Sequence, residues 1–178
     1  AYERRIGAVF DRVASLDLAT IASIEGPAVG GGCAIALACD LRICAPNARL
    51  GVPVSKTLGN CLAIEPLARF VDLVGEGRVA DLMLTGRLVP ADEALAWGLV
   101  TRVVPRDDLE DVTRAVAGDL ASRAVSTIRA TKEMLRRLRA HRRPPAGSCD
   151  DVVAACYDSQ QFREGVTAFA ARRPPAFS

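Results

Sequence analysis

The chain has 178 residues, of which 50% are hydrophobic and 25% are charged, and its formal net charge is +2 at pH 7. This apolar content is enough for a folded core and excludes a wholly disordered chain. Apolar runs such as residues 34–39 are far shorter than a membrane span, and Asp40 follows that run. No basic-then-apolar start resembles a secretion signal, so we expect a cytoplasmic protein with no membrane partner. Residue 1 is Ala rather than Met, so it need not be where the gene begins.

Strands and helices are predicted to alternate over the first hundred residues. Apolar residues at helical spacing predict a helix over 2–16, and a β-type run at 20–24 ends in the turn signal Glu25-Gly26-Pro27. Three glycines then open an apolar helix over 33–39, and a strand is predicted at 41–45, before a loop rich in glycine and proline. Asp40, between that helix and that strand, is expected to be a buried, hydrogen-bonded cap.

Helices dominate the rest of the chain. The pattern predicts helices over 66–73 and 76–84, a short helix over 90–97 and a strand over 99–104. Residues 107–171 are predicted to be mostly helical, with a break near 144–147. The fold class is therefore α/β, with a layer of strands and helices followed by a helical extension.

The six cysteines and the single histidine, His141, indicate reduced thiols rather than a disulfide framework. No CxxC pair occurs, so a zinc site built from Cys and His lacks ligands, and we expect no metal and no separate cofactor. Cys33 and Cys61 are candidates for the border of a substrate pocket. A role as small apolar side chains is favoured over a nucleophilic role, since neither has a histidine nearby in sequence.

Positive charge is concentrated in residues 123–143, which hold eight basic side chains and one acid. This segment carries +7 and the remainder of the chain carries −5. A solvated helix face is the favoured interpretation, and a surface for a small polyphosphate ligand is the alternative. Nucleic acid is not an expected partner, because no aromatic residues interleave with these arginines and the rest of the chain would repel a polyanion.

The glycine run Gly30-Gly31-Gly32, at the start of an apolar helix, is the strongest chemical signal. The first amides of a helix have no partner within the helix, and glycine lets a ligand approach the backbone closely. An oxygen that becomes negative during a reaction would be stabilised there, as in an oxyanion hole made of backbone. The spacing fits neither GxGxxG nor GxxxxGK[ST], so nucleotide-binding loops lack support. Tight helix–strand packing without a ligand is the alternative.

Several stretches together form a recognisable series. They are IASIEGPAVGGG at 21–32, ALACDLRICA at 36–45, LTGR at 84–87, ADEA at 91–94, WGLV at 97–100, FREGVTAF at 162–169 and RRP at 172–174. The sequence resembles the crotonase family of enoyl-CoA hydratases and isomerases over nearly the whole chain.

The resemblance implies a crotonase-like spiral of ββα units that acts on an acyl-CoA or enoyl-CoA thioester through an enolate-like intermediate, in fatty acid or related acyl-CoA metabolism. It divides the chain into a partial α/β core at 1–105 and a C-terminal helical region at 106–178, which would form a homotrimer or a dimer of trimers. Family members begin with several dozen more residues, which supply a second oxyanion donor. We therefore expect an N-terminal part to be absent from this chain.

The resemblance also assigns site residues. It makes the Gly31 N–H the oxyanion donor. The substrate would contact Pro27, Gly30, Gly31, Pro53, Val54, Leu62 and Arg172, the last of these through the CoA phosphates.

The sequence departs from the family where hydratases carry two glutamates, because Ala34 and Val54 occupy those positions. Neither can transfer a proton, which indicates a reaction that needs carbonyl polarisation more than water activation, such as isomerisation or decarboxylation. Glu65 is the best remaining acid–base candidate, although its place at a helix start also suits a charge beside the helix dipole. A non-catalytic acyl-CoA binder or assembly partner is the alternative function.

Overall fold

The computed structural model describes the backbone of residues 2–145 and 147–177, and the side chains from residue 7 onward within those ranges. Residue 146, inside the predicted helix break, lies outside the described residues. Among the described residues, no helix combines the length and the apolar character needed to cross a membrane. The helices are α1 (Tyr2–Ala14), α2 (Gly31–Ala38), α3 (Ile64–Val74), α4 (Glu76–Thr85), α5 (Ala91–Ala96), α6 (Leu109–Ala121), α7 (Val125–His141), α8 (Asp150–Tyr157) and α9 (Gln160–Ala170), with a 3₁₀ turn at Arg106–Asp108.

Six short strands form two sheets among the described residues. The strands are β1 (Ile21–Ile24), β2 (Pro27–Val29), β3 (Leu41–Cys44), β4 (Arg49–Gly51), β5 (Val89–Pro90) and β6 (Arg102–Val103). The first sheet has the order β1-β3-β6 and is parallel throughout. In the second sheet, β2 pairs in parallel with β4, and β5 pairs antiparallel with β4.

The register of β2 against β4 places the C-terminal ends of the two strands side by side. Val29, the last residue of β2, is paired with Gly51, the last residue of β4. The strands are parallel, so both lead out of the sheet at the same edge. The glycine turn follows one strand at that edge and the loop that begins at Val52 follows the other.

Helix α2 contains no polar side chain other than a thiol, and five of its eight residues are buried. Its Cys33 and Leu37 belong to the larger core cluster, together with Leu50 of β4, Phe70 of α3 and Leu82 of α4. A smaller cluster joins α6 to the first sheet, where Leu109 and Val116 pack on Ile43 and Ala45. Helix α6 therefore covers the parallel sheet, and α2 lies in the main core.

Several sequence-based predictions of elements are confirmed and others need correction. Helices α2, α3 and α4 lie close to their predicted ends. The predicted strand over 99–104 is wrong in its first half, because the amides of Leu99 and Val100 donate to the carbonyl of Ala94 and continue the turn after α5. Strands β2, β4 and β5 fall where the sequence predicts turn or loop. Each is only two or three residues long, which is too short to show the alternation typical of strands.

Asp40 differs from its predicted state, since it is exposed rather than buried. Its carboxylate nevertheless accepts hydrogen bonds from the Thr20 amide and hydroxyl, both at 2.8 Å. It also forms an ion pair with Lys132 of α7. The Asp40 carboxylate is therefore satisfied by Thr20 and by Lys132 of α7, which reaches across to the turn between α2 and β3.

Candidate functional site: the glycine turn

The turn between β2 and α2 is built around Gly30. Its φ of 60° and ψ of −121° lie in a region that side chains disfavour, so glycine is required there. The Gly30 amide donates to the Gly51 carbonyl at 2.9 Å and ties the turn to β4. The Gly30 carbonyl accepts from the Ala34 amide at 3.0 Å and starts the helix. The turn is thus held from both sides before any ligand binds.

Gly31 is the first residue of α2, and its amide takes no part in the hydrogen bonds that hold the turn. Among the described residues, no acceptor lies within hydrogen-bond distance of the Gly31 N–H. The residue is exposed, and a Cβ added to it would meet no atom within 4 Å. The amide lies at the positive end of the α2 dipole, so an anionic oxygen placed there would be stabilised.

The loop after β4 brings two more predicted residues to the same edge. Pro53 and Val54 are half-buried, and the Val54 carbonyl accepts from the Gly59 amide at 2.8 Å. The Val54 and Leu62 side chains both pack against the main core, so their positions are fixed by packing. Pro27 begins β2 and therefore lies at the opposite end of that strand from Gly30.

Ala34 and Val54, the positions at which the resemblance implies glutamates in hydratases, both have apolar side chains. Ala34, one turn along α2 from Gly31, is only 6% exposed. Val54 has its side chain against the core. Neither position offers a proton donor or acceptor near the Gly31 amide.

Glu65 lies at a small pocket that Ala34 also lines. It occupies the first turn of α3, and with Ala34 and Leu37 it lines a small pocket between α1, α2 and α3. Arg69 and Arg143 line the same pocket, and the Arg143 guanidinium donates to the Glu65 carbonyl at 2.6 Å. The fold thus places the Glu65 carboxylate in a pocket shared with Ala34 and with two arginines.

Arg172 is not brought to the glycine turn by any described contact. It is exposed beyond the end of α9 and has a φ of 52°. Helix α9 itself packs closely on the loop after Val54, because a Cβ at Gly165 would overlap the Leu58 carbonyl. The C-terminal helices therefore support the loop that borders the site.

The thiol of Cys33 is not poised for chemistry. Burial raises its pKa to about 12, so it stays protonated at neutral pH. Burial also raises the pKa of Cys39, at the end of the same helix. No three side chains of the metal-ligating types converge anywhere in the described part of the chain.

Comparison of the sequence and the fold with known proteins identifies the family of this chain. The family model described as enoyl-CoA hydratase/isomerase matches residues 1–178. The chain belongs to the enoyl-CoA hydratase/isomerase family. A Thermus thermophilus protein that bears an enoyl-CoA hydratase name is 38% identical over 175 residues, which cover 95% of this chain and 66% of that protein.

Two solved structures of the family extend the similarity to the fold. An enoyl-CoA hydratase from Mycobacterium avium subsp. paratuberculosis K-10 is 32% identical with a TM-score of 0.87, and the match covers 99% of this chain and 72% of that one. Methylmalonyl-CoA decarboxylase in complex with 2-nitronate-propionyl-CoA is 26% identical with a TM-score of 0.91, over 97% of this chain and 67% of that one. The resemblance in the sequence motifs is thereby confirmed, as is a crotonase-type α/β fold. This chain spans about two thirds of the length of these relatives.

The sequence-based interpretation missed how the basic segment is used. Residues 123–143 fold mainly as α7, and Arg136 and Arg137 pair with Glu133 on its exposed side. A cavity is lined by Arg136 and Arg139 of α7, by Arg143 just after it, by Arg69 of α3 and by Arg12 of α1. The positive charge of residues 123–143 was a signal in the sequence for those arginines of the cluster that lie in this segment. No feature of the sequence placed Arg12 and Arg69 beside it.

Proposed function

We propose that this protein is an acyl-CoA enzyme in which the Gly31 N–H polarises the thioester carbonyl of the substrate. The observation that carries the proposal is the unpartnered Gly31 amide at the start of α2, exposed at the edge where β2 and β4 end. A backbone donor fixed in this way stabilises an enolate oxygen without having to reorganise during the reaction. Membership of the enoyl-CoA hydratase/isomerase family supports an acyl-CoA or enoyl-CoA thioester as the substrate.

The apolar pair Ala34 and Val54 favours decarboxylation over hydration. Addition of water needs groups that move protons, whereas loss of CO₂ needs only a sink for electrons. The bond between the α-carbon and a carboxylate carbon breaks, CO₂ leaves, and the electron pair becomes a thioester enolate whose oxygen Gly31 would hold. The α-carbon then takes up a proton. The similarity to methylmalonyl-CoA decarboxylase supports this choice.

The remaining site residues have roles in the same proposal. Gly30 sets the turn, Pro53, Val54 and Leu62 border the acyl group, and Pro27 and Arg172 contribute to the binding of the CoA portion. Glu65, beside Ala34, is the candidate that exchanges a proton with the substrate. Coenzyme A enters as part of the substrate, and no further cofactor is needed.

The test is a substrate panel with product analysis. Purified protein is incubated separately with methylmalonyl-CoA, crotonyl-CoA and a 3-enoyl-CoA, and products are identified by mass spectrometry. We expect release of CO₂ from the carboxylated thioester and little hydration of crotonyl-CoA. Rapid hydration of crotonyl-CoA would overturn the interpretation of Ala34 and Val54. Tight calorimetric binding of all three thioesters without turnover would instead favour the alternative, a non-catalytic acyl-CoA binder.

The C-terminal helices support a further part of the proposal, assembly into a trimer or a dimer of trimers. Large apolar side chains are exposed on them, including Leu138 of α7, Val152 of α8 and Phe169 of α9, which is 72% exposed. Patches of this kind mark protein contacts. Light scattering after size exclusion should show an oligomer that L138E/F169E dissociates. The control L84E, at an exposed leucine of α4, should leave the assembly intact.

A further inference from the structure

A second concave site lies between α1, α3 and α7, away from the glycine turn. Its volume is about 620 Å³, within the range of small-molecule sites. Two carboxylates, Asp11 and Glu65, also line it. The cavity contains no residue of the turn between β2 and α2. Its arginines are Arg12, Arg69, Arg136, Arg139 and Arg143, and we call this the arginine cavity.

Two of these guanidinium groups are already engaged. Arg136 donates to both carboxylate oxygens of Glu133, at 2.7 and 2.8 Å. Arg143 donates to the Glu65 carbonyl and lies 3.7 Å from the Asp72 carboxylate. The arrangement leaves three arginines to be accounted for.

Arg12, Arg69 and Arg139 have no ion-pair partner within 4 Å among the side chains that the structure describes. Arg69 makes one long contact of 3.5 Å to the Leu37 carbonyl. Three guanidinium groups without an ion-pair partner therefore line one cavity, together with the carboxylates of Asp11 and Glu65.

Arg69 and Arg139 are partly buried, and other arginines lie close to them. Burial, together with the charges of Arg139 and Arg143, lowers the pKa of Arg69 to about 10, and Asp11 and Asp72 oppose this only in part. Burial and the charge of Arg143 likewise lower the pKa of Arg139. An anion in the cavity would relieve this repulsion, because it would lie close to several guanidinium groups in a partly desolvated site.

We propose that the arginine cavity binds a multiply charged phosphate anion through Arg12, Arg69 and Arg139. Guanidinium forks match the oxygens of a phosphate group in a bidentate manner. Arg12, Arg69 and Arg139, which lack an ion-pair partner, provide three such forks, enough to contact a ligand with more than one charged phosphate, such as a diphosphate group. This site goes beyond the proposed function, since it neither includes Gly31 nor requires turnover of a thioester.

Calorimetric titration with sodium pyrophosphate at constant ionic strength tests the proposal. We expect saturable binding to the purified protein and an affinity at least about tenfold lower in R69Q/R139Q, because each lost bond involves two charged groups. R123Q is the matched control, since Arg123 is exposed between α6 and α7 and does not line the cavity. Absence of saturable binding, or equal affinity in wild type and R69Q/R139Q, would overturn the proposal.

A second measurement covers the case in which the double variant does not fold. Pyrophosphate should raise the Tm of the wild-type protein more than sodium chloride of equal ionic strength does, and the single variant R139Q should reduce that rise. An equal rise with both salts would contradict the proposal.

Competition distinguishes the two sources of a diphosphate group. Displacement of pyrophosphate by coenzyme A as well as ADP would assign the cavity to the phosphates of a CoA ester, and displacement by ADP alone would assign it to a free nucleotide. Both outcomes support a phosphate site. If neither coenzyme A nor ADP displaced pyrophosphate, even in large excess, that result would count against a phosphate site in the arginine cavity. None of these binding measurements depends on catalysis. Their outcome therefore does not decide whether the proposed acyl-CoA function is correct.

Discussion

The glycine turn and the arginine cavity are each proposed to hold an anionic oxygen, but by opposite means. At the turn, one backbone N–H is aimed by a helix start, in apolar surroundings that include Ala34 and Val54. In the cavity, several full positive charges converge on long side chains. The first arrangement carries no net charge and has fixed geometry. The second has a large charge and adjustable geometry.

The difference separates two kinds of anion. A neutral dipole suits an oxygen whose charge appears only during the reaction, because it does not hold a charged ground state tightly. A guanidinium cluster suits an anion that is charged before it arrives. Variants that affect one region and leave the other intact are therefore the sharpest tests of both assignments.

The largest effect is expected from Gly31→Pro. Proline has no N–H, so the variant removes the donor, while the first position of a helix accepts the ring. A residue before proline must be extended. Gly30, with φ of 60° and ψ of −121°, has the mirror-image extended conformation, which glycine adopts without steric penalty. We expect kcat on the productive thioester to fall by about 100- to 1,000-fold, as measured by steady-state kinetics.

Gly31→Ala is the matched variant, because it keeps the N–H and its Cβ enters open space. The difference in kcat between the two variants measures the contribution of the missing hydrogen. A kcat equal to that of the wild-type protein in both variants would remove Gly31 from the mechanism. Pyrophosphate affinity should be the same in both, since Gly31 lies outside the arginine cavity.

Glu65→Gln is expected to have the next largest effect, with opposite signs in the two regions. If Glu65 exchanges a proton with the substrate, kcat falls by about 100-fold. The same change removes a negative charge from the arginine cavity, so pyrophosphate should bind more tightly. Kinetics and calorimetry on the same preparation measure both quantities. The control is Glu76→Gln, at an exposed glutamate in the first turn of α4, which should change neither. An unaltered kcat in Glu65→Gln would show that Glu65 does not transfer the proton.

Gly165→Ala tests the support of the loop beside the glycine turn. A Cβ there would overlap the Leu58 carbonyl, so α9 or the loop must move, at a cost of about 1–3 kcal/mol in the free energy of unfolding. Gly118→Ala, at an exposed helical glycine with open space around it, should instead stabilise by about 0.5–1 kcal/mol. Urea unfolding measures both. A stabilising effect of Gly165→Ala would show that α9 does not pack on this loop.

The smallest effect is expected at Arg172. If it contacts CoA phosphates from the exposed end of α9, Arg172→Gln should raise KM for the thioester about fivefold, equivalent to about 1 kcal/mol, with kcat unchanged. Pyrophosphate affinity at the arginine cavity should not change. Arg163→Gln, an exposed arginine on the same helix, is the control. Equal KM values in the two variants would exclude Arg172 from substrate binding.

Much of the glycine turn could be predicted from local sequence. Three glycines followed by apolar residues specify a helix start, because the bonds that define it join residues only four apart. The identity of Ala34 and Val54 was likewise plain from the sequence. The short strands β2, β4 and β5 were not predictable, because each exists through pairing with a distant segment, as Leu50 pairs with Val89.

The sequence by itself determined the alternation of strands and helices, the family resemblance and the helix start at the glycine run. Only the tertiary structure decided that Glu65 lies beside Ala34, and that Arg12 and Arg69 join Arg139 around one cavity. The physical reason is the range of the forces involved. Helix and turn preferences act between neighbours along the chain, whereas a charge cluster depends on how separate helices pack across the core.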